Sequence, residues 1–196
     1  MTRFVGLTGG IGAGKSEALA AFERLGAATL STDRVAHDLL DDDGVRSALL
    51  ERWGEGIAPD GRVDRERVSE IVFNDGDELA WLEAVTHPRV GAHVIEWRQS
   101  LDPQVRVAVV EVPLLFEAAM EDAFDATVAV VAADELRDAR LRERGQGGLE
   151  GREARQFDQE QKARRADHVI RNDASLEELE SEVKRVIEQL SGGEGE

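Results

Sequence analysis

Residues 9–16 read Gly-Gly-Ile-Gly-Ala-Gly-Lys-Ser, which matches the pattern G-x-x-x-x-G-K-[ST] in full. Between a strand and a helix this pattern binds phosphate, because its glycines let successive backbone N–H groups point inward. Lys15 is placed to reach the β- and γ-phosphates of a nucleotide, and the Ser16 hydroxyl to ligate Mg²⁺. An apolar segment precedes the loop, and apolar residues recur after it at helical spacing: Ala18, Leu19, Phe22 and Leu25. The sequence therefore predicts that the protein binds a nucleoside triphosphate.

Two carboxylates follow predicted strands and are candidates for the chemistry of the bound phosphates. Glu111 lies near the carboxyl end of residues 105–112, the strongest strand in the sequence, where phosphate-loop proteins usually keep an acid that helps to hold Mg²⁺, often through water. Asp33 follows a shorter strand at residues 27–30. Ligands of open α/β sheets bind outside the carboxyl ends of the strands, so Asp33 can face the loop. Alternatively, Asp33 only caps the next helix, and the residues alone favour neither interpretation.

Arginine side chains are the candidates for neutralising the donor phosphates. Asp134 opens a predicted helix in which Arg137, Arg140 and Arg144 share one face. Phosphoryl transfer requires positive charge on the donor phosphates, although a solvated basic face would show the same spacing. The glycine-rich residues 145–151 that follow would allow a lid to close.

The remaining pattern predicts one α/β domain of ordinary size, with a central parallel sheet flanked by helices, a helical substrate-binding insert and a helical lid. The predicted parts are a core at about residues 1–34, 102–135 and 166–190, an insert at about 35–101, a lid at about 136–165 and a flexible tail at 191–196. Within the insert, Thr86-His87-Pro88 predicts a break before another helix. The last helix starts at a capping box, Ser175 to Glu178, and its apolar stripe begins at Leu176.

Composition excludes several classes of function. The chain of 196 residues has a formal net charge of −17, which argues against a nucleic-acid partner, and it has no cysteine for disulfides or thiolate metal sites. With no signal peptide and no apolar run near the ~18 residues of a membrane span, we expect a cytoplasmic protein without membrane contact. A GC-rich genome or a salt-adapted surface would explain the acidic, arginine-rich composition, and the sequence leaves both open.

These residues alone leave kinases, GTPases and mechanical ATPases as candidates. The sequence lacks the Asn/Thr-Lys-x-Asp motif with which GTPases read guanine, which disfavours that class. A small-molecule kinase fits the short length, the helical insert and the arginine-rich lid. Within enzymes the alternative is a nucleoside or nucleotide kinase, and outside them a nucleotide-binding regulator without turnover.

Beyond these patterns, the chain resembles the dephospho-coenzyme A kinase family over about residues 3–190. The matching segments are Gly-Leu-Thr-Gly-Gly-Ile-Gly-x-Gly-Lys-Ser at 6–16, Thr-Asp-x-x-Ala-His at 32–37, Asp-Gly-x-x-Asp-Arg at 60–65, Ile-Val-Phe at 71–73, His-Pro at 87–88, Val-Pro-Leu-Leu-Phe-Glu at 112–117, Arg-Leu-x-x-Arg at 140–144, Gln156, and Ala-Asp-x-Val-Ile-x-Asn at 166–172. Their order and spacing together are specific to this family.

The resemblance implies a P-loop kinase that transfers the γ-phosphoryl of ATP to the ribose 3′-hydroxyl of dephospho-CoA, with Mg²⁺ as cofactor. By the same resemblance Asp33 is the base that receives or orients the hydroxyl proton, while Lys15 and Arg140 stabilise the transferring group. The implied acceptor-binding residues are Asp33, His87, Pro113, Leu114 and Leu115, with His87 shaping a helix start. The ATP-binding residues are Gly10, Gly12, Ala13, Gly14, Lys15, Ser16, Glu17, Arg140 and Arg144. A monomer is the first expectation for the oligomeric state and a trimer the alternative.

The chain departs from the family pattern at two places. Position 17, often Thr in the family, is Glu17, whose side chain we expect to point away from the loop while its backbone N–H serves the phosphates. The lid segment between Arg144 and Gln156 is shorter than usual and richer in glycine, which leaves the role of Arg152 open.

Overall fold

The computed structural model describes residues 1–143 and 156–192 of the chain. The strands are β1 (Arg3–Gly9), β2 (Ala28–Ser31), β3 (Val107–Glu111), β4 (Ala126–Val131) and β5 (His168–Arg171). The helices are α1 (Lys15–Arg24), α2 (Thr32–Leu39), α3 (Asp43–Trp53), α4 (Arg65–Asn74), α5 (Gly76–Ser100), α6 (Asp134–Glu143), α7 (Gln159–Arg165) and α8 (Leu176–Gly192). The chain divides into two compact units, Thr32–Ser100 and the remainder.

All strands of the described sheet are parallel, in the order β2-β3-β1-β4-β5. Leu7 of β1 and Ser31 of β2 both pair with Glu111 of β3, and Gly9 pairs with Val130 of β4. The carboxyl ends of these strands therefore lie along one edge, which is where open α/β sheets bind ligands. The predicted α/β class, with a parallel sheet flanked by helices, is confirmed.

One face of the sheet is covered by α1 and α8. Val5, Leu7 and Val109 of this face are fully buried. They pack in one cluster with Phe22 of α1 and the apolar stripe of α8, which consists of Leu179, Val183, Val186 and Leu190. The predicted capping box at the start of α8 is present, since Glu178 N donates to Ser175 Oγ and Ser175 N donates to Glu178 Oε2. Leu176, which the sequence placed in the stripe, is 59% exposed as the first residue of α8, so the buried stripe begins one turn later at Leu179.

The opposite face of the sheet is packed closely at Gly6. A Cβ atom at this position would lie 2.4 Å from Leu115 Cδ1 and 2.9 Å from Phe124, so only glycine allows this approach. Phe124 also stacks on Phe4 at a centroid distance of 5.0 Å. The chain after β3 is thereby fixed against the middle of the sheet.

The unit Thr32–Ser100 has its own apolar core, formed by α3, α4, α5 and the connections between them. Trp53 of α3 and Trp81 of α5 meet edge to face at 5.2 Å. The Glu78 carboxylate accepts hydrogen bonds from Arg52 (2.8 and 3.0 Å) and from Trp53 Nε1 (2.8 Å). The Arg52 guanidinium, with the indole N–H of Trp53, holds the pKa of Glu78 below its usual value. Trp53 and Trp81, two of the three tryptophans, therefore pack in this core.

The prediction of a helix break at Thr86-His87-Pro88 is wrong, because α5 runs through all three residues. A proline within a helix removes one N–H and crowds the carbonyl four residues earlier, here that of Ala84. Both Ala84 and Pro88 are exposed, so water can satisfy that carbonyl. Trp81 and Val85, on the two turns before the proline, pack against the core and hold the helix together.

Further differences concern the ends of elements. The predicted flexible tail at 191–196 is wrong for its first two residues, since α8 continues to Gly192, and residues 193–196 lie outside the described residues. Arg144, Arg152 and the glycine-rich residues 145–151 lie outside the described residues. Within the described ranges, no helix has the length and apolar character that crossing a bilayer requires.

Candidate active site

The phosphate loop joins the end of β1 to the start of α1, as its motif predicts. Gly14 precedes α1 in the left-handed conformation, with φ of 92°, a region that other residues adopt only at a cost. Ser16 and Glu17 belong to the first turn of α1, where the helix offers no acceptor for backbone N–H groups. With the positive end of the helix dipole, these groups form a binding site for phosphate.

The carbonyl groups of the loop are held from the outside by cationic and amide side chains. Lys15 Nζ donates to the carbonyls of Gly9 and Gly10, each at 3.1 Å. These two acceptors keep the ammonium group at the mouth of the loop. Lys15 therefore starts from a position next to the predicted β- and γ-phosphates.

Two arginines of α6 continue this pattern along the loop. Arg137 Nε donates to Ile11 O at 2.9 Å, and its guanidinium also pairs with Asp134 at 2.9 Å. Arg140 Nη1 lies 3.4 Å from the carbonyls of Gly12 and Ala13. For these two residues a solvated basic face is excluded, because their guanidinium groups lie on the loop.

Asn172, directly after β5, completes the set of donors. Its Nδ2 donates to Ala13 O at 2.9 Å, and its own carbonyl accepts a 3.0 Å hydrogen bond from Arg140 Nη2. A Cβ atom at Gly14 would lie 2.1 Å from Asn172 Nδ2. Gly14 is thus required both for its positive φ and for the close approach of Asn172.

The candidate ligands for Mg²⁺ are oxygen donors at the same edge of the sheet. Ser16 is exposed in the first turn of α1, and Glu111, 5% exposed, ends β3. Mg²⁺ prefers oxygen ligands and is usually held by one or two protein groups together with substrate phosphates and water. The hydroxyl and the carboxylate fit this requirement.

Glu17 directs its carboxylate along α1 and away from the loop. Its Oε1 lies 3.1 Å from Nη2 of Arg24, two turns further along the helix, and Arg24 also pairs with Glu180 of α8. The carboxylate is therefore neutralised at the far end of α1. Only the backbone N–H of Glu17 is left for a phosphate.

Asp33 and His87 both lie in the unit Thr32–Ser100, on separate helices. Asp33 is the second residue of α2, so it is not the residue before the helix that a cap occupies. Its side chain is exposed, two positions beyond the last residue of β2. His87 is exposed in the middle of α5, so the expectation that it shapes a helix start is wrong.

The segment after β3 holds the other predicted acceptor-binding residues. Pro113 and Leu114 are half-buried, whereas Leu115 is fully buried against Gly6. The side chain of Leu115 anchors the segment, and Pro113 and Leu114 keep surface for a ligand. Thr8 Oγ1 donates to Pro113 O at 3.0 Å and ties the segment to the end of β1.

Behind this segment lies a buried ion pair. Lys162 of α7 has no exposed side-chain surface, and its Nζ contacts Pro113 O at 2.6 Å and Glu117 Oε1 at 3.0 Å. Burial lowers the pKa of Lys162, and the hydrogen bond with Glu117 opposes this shift. Glu117 Oε1 also accepts the backbone N–H of Phe157 at 2.7 Å.

The sequence placed Arg137 on the basic helical face but not among the ATP-binding residues, and it assigned no role to Asn172 or Lys162. Arg137 shares the helical face of Arg140, and Asn172 follows a strand end as Asp33 does, so both carried a usable signal. No sequence pattern marks Lys162 as buried.

Comparison with known proteins shows the family of the chain. The family model described as dephospho-CoA kinase matches residues 3–178. The dephospho-CoA kinase of Streptomyces avermitilis is 40% identical over 192 residues, 95% of this chain and 93% of the relative. The solved structure of TT1252 from Thermus thermophilus is similar with a TM-score of 0.80 and 33% identity, covering 96% of this chain and 98% of that one.

A solved dephospho-CoA kinase from Campylobacter jejuni has a TM-score of 0.69 and 29% identity, over 98% of this chain and 99% of its own. The resemblance in the sequence is confirmed by these matches, which extend over nearly the whole chain. The chain belongs to the dephospho-CoA kinase family.

Proposed function

We propose that the protein transfers the γ-phosphoryl group of ATP to the 3′-hydroxyl of the ribose of dephospho-CoA, giving CoA and ADP, the last step of coenzyme A biosynthesis. The observation that carries this proposal is the phosphate loop, whose carbonyls are held by Lys15, Arg137, Arg140 and Asn172. Membership of the dephospho-CoA kinase family indicates that dephospho-CoA is the acceptor. Its partners are then ATP and dephospho-CoA, and its place is the cytoplasm.

The donor phosphates bind to the backbone N–H groups of the loop and of Ser16 and Glu17. Lys15 and Arg140 supply positive charge where the transferring group develops negative charge, which in phosphoryl transfer is the main contribution that a protein makes. Arg140 has five N–H donors, so it can keep its carbonyl contacts while it meets a phosphate. Ser16 and Glu111 would hold Mg²⁺, which would supply further positive charge against that of the phosphates.

Asp33 is the proposed base on the acceptor side. The carboxyl ends of β1, β2 and β3 share an edge, and Asp33 follows β2 by two residues. An exposed carboxylate that follows a strand end by two residues can accept the proton of a ribose hydroxyl. Pro113 and Leu114, which follow β3 at the same edge, contact the acceptor in this proposal.

The first prediction concerns the acceptor. In a coupled assay with ATP and Mg²⁺, dephospho-CoA supports turnover, and adenosine and AMP support little. Turnover with AMP or adenosine but not with dephospho-CoA would instead indicate a nucleoside or nucleotide kinase. ATP binding without turnover on any acceptor would indicate a regulator.

A second prediction uses two glycines with nearly the same backbone conformation. Gly14 and Gly26 have φ of 92° and 90°, but a Cβ atom at Gly26 meets nothing within 4 Å. Gly26→Ala should cost about 1 kcal/mol of stability, from the left-handed conformation alone, with unchanged ATP affinity. Gly14→Ala also displaces Asn172 from the Ala13 carbonyl, so that the loop should lose the alignment of one N–H with a phosphate. The loss of one hydrogen bond to a charged phosphate, ~1.5–3 kcal/mol, weakens ATP binding about tenfold or more. Calorimetric titration and thermal melting measure both; equal ATP affinities would contradict the role of Asn172.

A third prediction tests Arg140 against Arg142 on the same helix. Arg142 is 78% exposed, and its recorded ion pair is a 4.0 Å contact with Asp138, so Arg142→Ala should leave activity unchanged. Arg140→Ala removes positive charge from the donor phosphates, for which we expect a loss of ~3 kcal/mol in the barrier, about 100-fold in turnover at saturating substrates. Its melting temperature should fall by only a few degrees. Similar turnover of the two variants would remove Arg140 from the mechanism.

A fourth prediction separates the charge of Asp33 from its place in α2. Asp33→Asn keeps the size of the side chain and should fold and bind ATP·Mg²⁺ as the wild type does. Without a proton acceptor, phosphorylation of dephospho-CoA should slow at least ~100-fold, within the usual range for a general base. Single-turnover rates are the measurement, since lid opening can mask the chemical step at steady state. Asp38→Asn, an exposed substitution on the same helix, is the control; a rate for Asp33→Asn within a few-fold of it would require another base.

A further inference from the structure

The Lys162–Glu117 pair lies where three parts of the phosphate-binding unit converge. Besides Glu117 and Pro113, Lys162 Nζ lies 3.4 Å from Thr8 Oγ1, and Thr8 directly precedes the phosphate loop. Glu117 accepts the N–H of Phe157, near residue 156, where the described chain resumes. One ion pair thus joins the end of β1, the segment after β3 and the chain at the start of α7.

Stability alone does not account for this pair. The Lys162 side chain is fully buried and that of Glu117 is 11% exposed, so both charges have lost most of their hydration. In the described structure Glu117 Oε2 is buried without a hydrogen-bond partner, an arrangement that costs free energy. Replacing a buried ion pair by apolar groups of similar volume is often neutral or stabilising. A contribution to the free energy of folding therefore does not explain why these two positions carry charged side chains.

The contacts of the ammonium group are directional, which indicates a role in positioning the segment that they bind. Lys162 Nζ and Thr8 Oγ1 both donate to the same carbonyl, that of Pro113, at 2.6 and 3.0 Å. This carbonyl is fixed relative to the first residues of the phosphate loop, because Thr8 and Gly9 are neighbours in β1. The segment after β3 is thereby held at a set distance from the donor phosphates. An apolar side chain at position 162 would fill the same volume without fixing that direction.

We propose that Lys162 and Glu117 are positioning residues that align the acceptor-binding segment Pro113–Leu114 with the phosphate loop. The inference rests on the proposed function for the identity of the acceptor. Neither residue touches the reacting atoms. Their effect is on the affinity for dephospho-CoA and on its alignment, for which displacements near 1 Å can change rates ~100-fold.

The test combines Lys162→Met with Glu117→Gln. In the double variant Thr8 still donates to Pro113 O, and the Gln amide oxygen can still accept the Phe157 N–H, so we expect a melting temperature within a few degrees of wild type. The affinity for ATP, titrated directly, should stay within about threefold. The affinity for dephospho-CoA, titrated in the presence of a non-hydrolysable ATP analogue, should fall about tenfold or more, and kcat/KM for dephospho-CoA with it.

Lys184→Met, an exposed lysine on α8, is the matched control and should leave all values unchanged. If the folded double variant binds dephospho-CoA within threefold of wild type, the positioning role is refuted. If the double variant does not fold, Glu117→Gln alone decides, since it removes the charge that holds the Lys162 ammonium while its single amide oxygen can still accept the Phe157 N–H: weaker acceptor binding at unchanged ATP affinity supports the role, and wild-type binding refutes it. A wild-type protein that binds dephospho-CoA without phosphorylating it would refute the proposed function. The affinities of the variants and the wild type for dephospho-CoA would still decide whether Lys162 and Glu117 position the segment.

Discussion

A loop that turns its N–H groups toward a phosphate must turn its carbonyl groups the other way, and those carbonyls need donors. In this protein the donors come from Lys15 itself, from Arg137 and Arg140 on α6, and from Asn172 after β5. A hydrogen bond from a charged donor contributes about 1.5–3 kcal/mol, more than the ~1 kcal/mol typical of a neutral pair. These donors therefore hold a conformation that the loop sequence permits but does not by itself stabilise.

The parallel sheet brings these donors together. β1 lies between β3 and β4, and β5 pairs with β4, so the segments that leave β4 and β5 begin beside the phosphate loop. α6 begins three residues after β4, and Asn172 follows β5 directly. The segment after β3 reaches the loop from the other side and is held there by Thr8 and Lys162. Lys15 and Arg140, to which the proposed function gives a part in the chemistry, are thus also side chains that contact the loop carbonyls.

Local sequence patterns predicted the features that depend on local rules. The phosphate loop, the strand that carries Glu111 and the capping box at Ser175 follow from residue type and spacing within a few positions. The helix break at Pro88 did not occur, because packing of the preceding turn and solvent access to Ala84 outweigh a local preference. The contact of Arg137 with Ile11 and the burial of Lys162 depend on segments more than a hundred residues away. A single sequence gives no local signal for such contacts.

The hydrogen bond from Asn172 to Ala13 joins residues 159 positions apart, which has a consequence for the synthesis of the chain. The phosphate loop leaves the ribosome first, whereas the donors that hold its carbonyls are made near the end. At about 5–20 residues per second, the interval between Ala13 and Asn172 is on the order of ten to thirty seconds. Until β3 and β4 have been synthesised, β1 lacks both of the strands that pair with it, and its apolar side chains are not yet buried by them. The nascent chain can therefore hold a nucleotide in the finished geometry only once translation has passed its last strand.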